Sequence, residues 1–362
     1  MTKRVYKISF WAFITVILVS LIILVLFNSC ASVSQKDAKP TLSTVKHKYL
    51  SITYDTNDST VSATGKMMNF YTYDLDTKQL TNRAQIPFGS QYALGAVSLD
   101  NNKVYYTKRE VNDQGYPDYL YEYNLNTKES KLLESENRAY NDIVPIGNKL
   151  LVSAIEGGNN PAVFNLDTKK FSYLYEKNGY AEDKYFSSPP IPFGYNVNTK
   201  KFLYVYVDKK QSYDTNYRKG EPGDKTPIPH HINLMDIDFN NQEVYTFQTE
   251  EVQFATQISD DKIICTTTEH PFGVGKKKAY LLDIKKQELK ELSSLPMPKM
   301  TSVFNSYTID EGETFYVAGM DKDKRRGVFY YNTKTDTVEP ILLDNNETGG
   351  HVVNFTMLEY IE

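Results

Sequence analysis

Arginine and histidine are the side chains of this sequence best suited to binding chemistry. Beyond residue 30 the chain contains six arginines and five histidines, and ten of these eleven residues fall in irregular segments between predicted strands, with His47 as the exception. An arginine guanidinium presents a planar fork to carboxylate or phosphate, whereas lysine is the more strongly hydrated charge. The concentration of arginine and histidine in these segments favours a binding site for an anionic or polar ligand. The alternative is that the arginines pair with acidic neighbours and hold the loops in place.

The candidate ligand-binding residues are charged, polar or aromatic side chains of these irregular segments. Arginine would supply charge, tyrosine would supply flat contact area, and histidine would supply polar contacts. They are Arg109, Tyr116, Tyr213, Tyr217, Arg218, His230, His231, His270, Arg325 and Arg326.

Motifs of known catalytic or metal chemistry are incomplete in this chain. Residues 273–278 (GVGKKK) lack the upstream glycine and the downstream serine or threonine of a phosphate-binding loop. Residues 321–323 begin like a calcium loop but continue into Arg325 and Arg326, which would repel the cation. The histidines lack the spacing of zinc ligands, adjacent His230 and His231 are expected to be solvent-exposed, and the G-x-S-x-G elbow is absent. We therefore predict no catalytic residue, no metal and no cofactor.

Composition and charge exclude several classes of protein. With 40% hydrophobic and 13% aromatic residues, the chain is neither collagen, nor a coiled coil, nor disordered. Residues 1–30 contain three basic and no acidic side chains, so the rest of the chain carries a net charge of −7, which disfavours nucleic acid as a partner. Cys265 lies in an alternating segment typical of a buried strand and has no cysteine partner within the folded domain.

The N-terminus has the features of a membrane tether. An uncharged run of 20 residues, 8–27, follows Lys3, Arg4 and Lys7 and is long enough to span a bilayer. Because basic residues stay cytoplasmic, the rest of the chain is predicted to lie on the extracytoplasmic face of the cell membrane. Residues 27–30 (FNSC) resemble a bacterial lipoprotein processing site, in which Cys30 would carry the lipid. Residues 1–30 are therefore a signal peptide with lipidated Cys30, an uncleaved anchor, or a cleaved leader, and residues 31–46 form a flexible linker.

From residue 47 onward short strands recur with a regular period. Hairpin turns anchored on Asp74, Asn124, Asn165, Asp236, Asp283 and Asn332 are separated by 50, 41, 71, 47 and 49 residues. The long interval becomes normal if residues 209–231 are an insertion. A second hairpin precedes each of these turns. Four strands in 40 to 50 residues are typical of a β-propeller blade.

The order of residues 97–107 and 120–133 (VSLDNNKVYYT, then LYEYNLNTKESKLL) resembles the repeat of TolB-like propellers, which also occurs in relatives of prolyl oligopeptidase. The resemblance implies an all-β, six-bladed propeller over residues 47–362, with seven blades as the alternative. It implies no single activity, because such propellers serve many functions. The last segment, 351–362, is expected to close the ring by pairing with the first blade.

The two faces of such a ring are expected to differ. Tight polar turns make up one face, and longer irregular segments make up the other, where binding residues are usually found. We therefore expect a tethered, noncatalytic propeller that binds a ligand or protein partner through its long-loop face. Two alternatives remain: a lyase or hydrolase that acts on a cell-surface polymer with histidine as base, and an accessory subunit of a membrane complex.

Overall fold

The computed structural model describes most of the chain beyond residue 44. The described residues are 45–57, 65–89, 93–110, 117–135, 137, 139–155, 159–175, 186–187, 194–208, 228–270, 274–345 and 347–361. Their regular structure is entirely β-strand, and within these ranges no helix is long and apolar enough to cross a bilayer. The predicted membrane segment, Cys30 and nearly all of the predicted linker lie outside the described residues.

In the described part of the chain, twenty-five strands form six antiparallel sheets, which are the blades. Blade 1 contains β1 (Lys46–Asn57), β2 (Lys66–Asp74), β3 (Leu80–Pro87) and β25 (His351–Ile361). Blade 2 contains β4 (Gly95–Ser98), β5 (Lys103–Arg109), β6 (Asp118–Asn124) and β7 (Ser130–Glu134). Blade 3 contains β8 (Ala139–Ile146), β9 (Lys149–Ile155), β10 (Asn159–Asn165) and β11 (Lys170–Tyr173).

The remaining three blades follow in chain order. Blade 4 contains β12 (Phe186–Ser187), β13 (Gly194–Tyr195), β14 (Lys201–Asp208), β15 (His230–Asp236) and β16 (Glu243–Phe247). Blade 5 contains β17 (Glu251–Gln257), β18 (Lys262–His270), β19 (Val274–Asp283) and β20 (Glu288–Glu291). Blade 6 contains β21 (Met300–Tyr307), β22 (Thr314–Asp321), β23 (Arg326–Asn332) and β24 (Thr337–Leu343).

The ring is closed by the C-terminal strand, as the sequence predicts. Strand β25 pairs with β1 along its length, from Lys46 opposite Ile361 to Asp55 opposite His351, and it is the innermost strand of blade 1. Strand β1 is therefore the second strand of its blade, because β25 occupies the inner position.

Consecutive residues of the inner strands are buried because the two faces of each sheet pack against different blades. In β5, Val104, Tyr105 and Tyr106 are at most 1% exposed. Tyr105 packs with Leu150 of blade 3, whereas Val104 and Tyr106 pack with Phe70 of blade 1. Each such side chain contributes about 1.5–3 kcal/mol of burial free energy. The spaces between blades are therefore the hydrophobic core.

Most outer hairpins end in a turn that stabilises itself. In the turn after β6, the side-chain oxygen of Asn124 accepts hydrogen bonds from the backbone N–H of Asn126 (2.8 Å) and Thr127 (3.0 Å). Lys128 then adopts a left-handed φ of 64°, and its N–H donates to the Asn124 carbonyl oxygen. The same side-chain pattern occurs in the turns that begin at Asp74, Asn165, Asn196 and Asn332. These turns define the tight-turn face.

The opposite face, which we call the long-loop face, contains the connections between second and third strands and between successive blades. It has more strand than the sequence indicates, since β18 continues to His270, which the sequence places in an irregular segment, and β19 already begins at Val274. Strand β3 likewise includes Arg83, which donates to Thr72 Oγ1 at 2.7 Å instead of lying in a loop.

One turn closes the centre of the ring at the tight-turn face. In the turn 196–200 of blade 4, Asn198 accepts a hydrogen bond from Lys48 Nζ (2.6 Å), and Lys200 pairs with Glu359. Both partners belong to blade 1, which lies opposite blade 4 in a six-membered ring. Asn196 also donates to the carbonyl oxygen of Gln257 in blade 5 (3.2 Å). The turn therefore spans the axis.

Candidate binding site on the long-loop face

A pocket of about 260 Å³ lies between blades 5 and 6. It is lined by Gln253, Phe254, Thr266, Lys277, Leu295, Pro296, Met297, Met300, Thr301, Ser302, Val303 and Phe304. These residues belong to the halves of β17, β18, β19 and β21 nearest the long-loop face and to the connection 292–299. The pocket continues the hydrophobic core between these two blades and opens on the long-loop face.

Backbone bulges aim side chains into this pocket. Strand β17 has one bulge, at Gln253, and β21 has two, at Thr301 and Phe304. A bulged residue has no partner in the ladder, so its side chain is redirected, and bulges are common beside functional sites. All three bulged residues line the pocket. Gly319 of β22 permits this arrangement, because a Cβ there would clash with the carbonyl oxygen of Ser302.

The pocket combines an apolar interior with a cationic rim. Phe254, Met297 and Met300 are buried, while Lys277 and Phe304 are exposed, Phe304 to 45%. Lys277 makes no ion pair within the described part of the chain, whereas its neighbour Lys278 pairs with Glu250 at 2.8 Å. No lining residue is acidic. The pocket can therefore accept an apolar group next to a negative charge.

Arg326 connects the pocket to a polar cluster that also contains Asp344 and His351. Its guanidinium lies 5.0 Å from the centre of the Phe304 ring, in a cation–π contact, and its Nε lies 3.3 Å from Asp344 Oδ2. The side chain of Asp344 is 7% exposed, and its Oδ1 accepts a hydrogen bond from the N–H of Val352 (2.8 Å). The ion pair orients Arg326 across the edge of the pocket.

His351 is the third member of this polar cluster and lies at the junction of blades 6 and 1. Its Nδ1 lies 3.4 Å from Asp344 Oδ2, without hydrogen-bond geometry, and its side chain is 45% exposed. Its backbone N–H donates to Asp55 Oδ1 (3.0 Å). Burial raises the pKa of Asp55, and this hydrogen bond offsets only part of the rise. An imidazole beside a buried carboxylate is a candidate proton acceptor.

Three of the candidate arginines in the sequence are described, and each pairs with an aspartate. Arg109, at the end of β5, lies 3.3 Å from Asp118. Arg325 binds Asp321 through Nε (2.8 Å) and a terminal nitrogen (2.7 Å). Burial alone would raise the pKa of Asp321, but the hydrogen bonds from Arg325 outweigh it and lower that pKa. Of the three, only Arg326 also contacts the pocket.

Among the candidate histidines, His230 and His231 have described side chains, and neither lines the pocket. His230 is 5% exposed, and its Nδ1 accepts a hydrogen bond from the Val252 N–H (3.2 Å) across the junction of blades 4 and 5. Burial lowers the pKa of His230 to about 4. The expectation that this histidine is solvent-exposed is therefore wrong, because β15 begins at His230 and carries it into the core. His231 stacks on Tyr206 with ring centres 4.7 Å apart, and the backbone of His270 ends β18.

The other candidates, Tyr116, Tyr213, Tyr217 and Arg218, lie outside the described residues. Sequence reasoning did not select Lys277, Phe304, Asp344 or His351, although His351 counted among the histidines of the loop segments. Phe304 is the most informative of these residues. The strand pattern of the sequence predicts a buried side chain at this position, and the bulge exposes it instead. No sequence signal specifies that bulge.

Within the described ranges, no group of three or more histidine, cysteine or acidic side chains could hold a metal ion. Cys265 is fully buried, and burial raises the pKa of its thiol, so it is not a nucleophile in this fold.

Comparisons with known proteins give the fold but no family. No family model matches the sequence, and no curated protein matches it. Among solved structures, TolB from Acinetobacter baumannii is similar, with 15% identity and a TM-score of 0.50, over 86% of this chain and 66% of that one. A putative TolB from Agrobacterium tumefaciens has 10% identity and a TM-score of 0.48, over 87% and 99% of the two chains.

An oligogalacturonate lyase in complex with manganese has 15% identity and a TM-score of 0.45, over 77% of this chain and 71% of that chain. At such identities a likeness shows the fold alone. The six sheets show that this chain is a six-bladed β-propeller, and the match to Acinetobacter TolB shows a fold similar to that of TolB.

Proposed function

We propose that this protein is a membrane-tethered, extracytoplasmic propeller that binds a ligand or protein partner through its long-loop face, without catalysis. The observation that carries the proposal is the pocket between blades 5 and 6, into which three bulged residues of the inner strands point. At the opposite end of the ring, the turn 196–200 spans the axis.

The tether is the part of this proposal that comes from the sequence alone. Strand β1 of the propeller begins at Lys46 on the tight-turn face. Membrane fractionation of cells that express the full chain tests the tether, and mass spectrometry of the N-terminal peptide separates its forms. A lipid on Cys30 identifies a lipoprotein, an intact N-terminus identifies an anchor, and a soluble, cleaved chain contradicts the proposal.

Binding at the pocket is tested with a matched pair of variants. Phe304 and Leu132 are comparably exposed, to 45% and 43%, but Leu132 lies on the outermost strand of blade 2. We expect a library of small aromatic and aliphatic fragments to show ligand-observed NMR signals with the full chain and with Leu132→Ala. Phe304→Ala should lose most of these signals. Equal signals in the two variants would place binding elsewhere.

The pair formed by Asp344 and His351 favours a second candidate function, a lyase or hydrolase that acts on a cell-surface polymer. Its buried carboxylate and half-exposed imidazole have the composition of a general base, and such hydrogen bonds are often long until substrate binds. A turnover screen against surface polysaccharides tests this function. Activity should be lost in His351→Asn and retained in His47→Asn, which alters a similar histidine–aspartate pair on the tight-turn face.

A further inference from the structure

The chemistry of the pocket lining restricts the class of ligand. Its only charged residue is Lys277, and no carboxylate faces the cavity. Metal cations are therefore disfavoured, because they need acidic or histidine ligands. A sugar is disfavoured as well, since Phe304 is the only exposed aromatic ring of the lining and no acidic group is present to accept hydroxyl hydrogen bonds.

The size of the pocket sets the size of the apolar part of the ligand. A volume of about 260 Å³ equals the liquid volume of roughly nine water molecules, which is enough for one phenyl or branched alkyl group with a short linker. Met297 and Met300 line the cavity beside Phe254. Thioether sulfur atoms pack well against aromatic rings, and flexible methionine side chains adapt to the shape of a ligand.

The rim supplies one positive charge, Lys277, that no acidic side chain of the described residues pairs with. Lys276, Lys277 and Lys278 are consecutive in β19, so alternate side chains point to opposite faces of the sheet. Lys278 is paired with Glu250, whereas Lys277 has no ion-pair partner in the described part of the chain and borders the pocket. Arg326, on the far side of Phe304, is already paired with Asp344.

We propose that this pocket binds a carboxylate attached to an aromatic or branched apolar group, with the apolar group among Phe254, Met297, Met300 and Phe304 and the carboxylate at Lys277. The inference rests on the proposed function and assigns a chemical class to its ligand. Two sources share this chemistry, a free small-molecule acid and the C-terminal residue of a peptide.

The test uses 3-phenylpropionate and its uncharged amide as probes, with the full chain in lipid nanodiscs and empty nanodiscs as the reference. We expect the acid to bind with a dissociation constant of about 1 mM or tighter, given its few heavy atoms. Replacing Lys277 by glutamine should weaken binding of the acid about tenfold, the usual effect of losing a contact to a charged group, and should leave the amide unchanged. Lys276→Gln, one residue away on the other face of β19, is the matched control.

A tripeptide that ends in phenylalanine, with a free or an amidated C-terminus, separates the two sources. If only the small acid binds, the ligand is a free carboxylate, and if both bind, a peptide C-terminus fits as well. Equal binding of the acid and its amide, or equal affinity in the Lys277→Gln and Lys276→Gln variants, overturns the assignment while leaving binding at the long-loop face intact. Loss of binding in Phe304→Ala locates the probe in the pocket. Absence of binding by both acids also overturns the assignment, whereas the fragment screen tests the proposed function independently.

Discussion

The two faces of the propeller each contain a histidine paired with an aspartate, but the pairs are built differently. On the tight-turn face, His47 Nδ1 lies 2.9 Å from Asp76, whose side chain is 64% exposed. On the long-loop face, His351 lies 3.4 Å from Asp344, whose side chain is 7% exposed and also pairs with Arg326. Exposed ion pairs contribute little to the free energy of folding. Removing a partner from a buried carboxylate, in contrast, strongly destabilises the folded state.

This contrast extends to the rest of each face. On the tight-turn face most turns are stabilised by their own residues, as when Asn124 binds the N–H groups two and three residues ahead. On the long-loop face some pairs are local, such as Arg325 with Asp321, but others join different strands, such as His230 with Val252 and Arg326 with Phe304. We therefore expect the face with the longer loops to be the more sensitive to substitution, although loops are generally the more tolerant parts of a fold.

The largest effect is expected at Gly319, where the inner strand of blade 6 approaches most closely. In Gly319→Ala the new Cβ would clash with the Ser302 carbonyl oxygen, and the clash should lower the free energy of unfolding by about 3 kcal/mol. In the control, Gly194→Ala, the Cβ would meet Leu203 Cβ at an ordinary 3.7 Å. Urea unfolding followed by tyrosine fluorescence compares the two variants. Similar midpoints would mean that the pocket wall is not tightly constrained.

Acid should destabilise the long-loop end through His230. The pKa of His230 is about 4 in the folded protein, against 6.5 for the free side chain. As the pH falls, His230 therefore binds its proton in the unfolded chain first. Stability is complete above pH 6.5 and should decrease between pH 6.5 and 4, by up to about 3 kcal/mol. His230→Gln should remove this part of the pH dependence, and His47→Gln should not. Parallel pH curves for the wild type and His230→Gln would contradict the prediction.

Removal of Arg325 should have an intermediate effect. In Arg325→Ala the carboxylate of Asp321, which is 5% exposed, loses its ion pair, and we expect a loss of about 2 kcal/mol because the arginine itself is 43% exposed. Adding Asp321→Asn should restore much of this stability, since a neutral amide needs no counter-charge. If Arg325→Ala instead retains full stability and loses fragment binding, the arginine serves the ligand.

The smallest effect, and the only stabilising one, is expected on the tight-turn face. Lys128 has a φ of 64°, which is unfavourable for a residue with a Cβ, so Lys128→Gly should raise the free energy of unfolding by about 0.5–1 kcal/mol. Lys131→Gly, in the adjoining strand β7, should lower it by a similar amount. Thermal unfolding of both variants measures the difference. If both substitutions change the stability in the same direction, the left-handed φ of Lys128 is not the cause.

The sequence predicts the fold well because each repeat is specified by residues that are close together in the chain. Turn residues such as Asn124 and Asn165 stabilise their own hairpins, and two-residue alternation marks the strands between them. The closing strand 351–361 is also recognisable, since it is left over after six hairpin pairs and a propeller needs no open edge.

The candidate site is much less predictable from the sequence. The gathering of arginine and histidine at strand ends near the long-loop face is visible, but the sequence does not distinguish Arg325, bound twice by Asp321, from Arg326, which reaches Phe304. The local sequence places His230 in a polar loop, yet His230 is buried because strand β15 begins there.

The sequence by itself determines the hairpins of the blades and the face on which longer segments occur, because each depends on residues near one another in the chain. The tertiary structure decides for six blades over seven and shows the pairing of β25 with β1 that closes the ring. Only the tertiary structure decides where the pocket lies. Its walls come from β17, β18, β19 and β21 of two blades, and its shape depends on bulges at Gln253, Thr301 and Phe304. A bulge is specified by how two strands and their neighbours pack together, and that information is distributed over residues far apart in the chain.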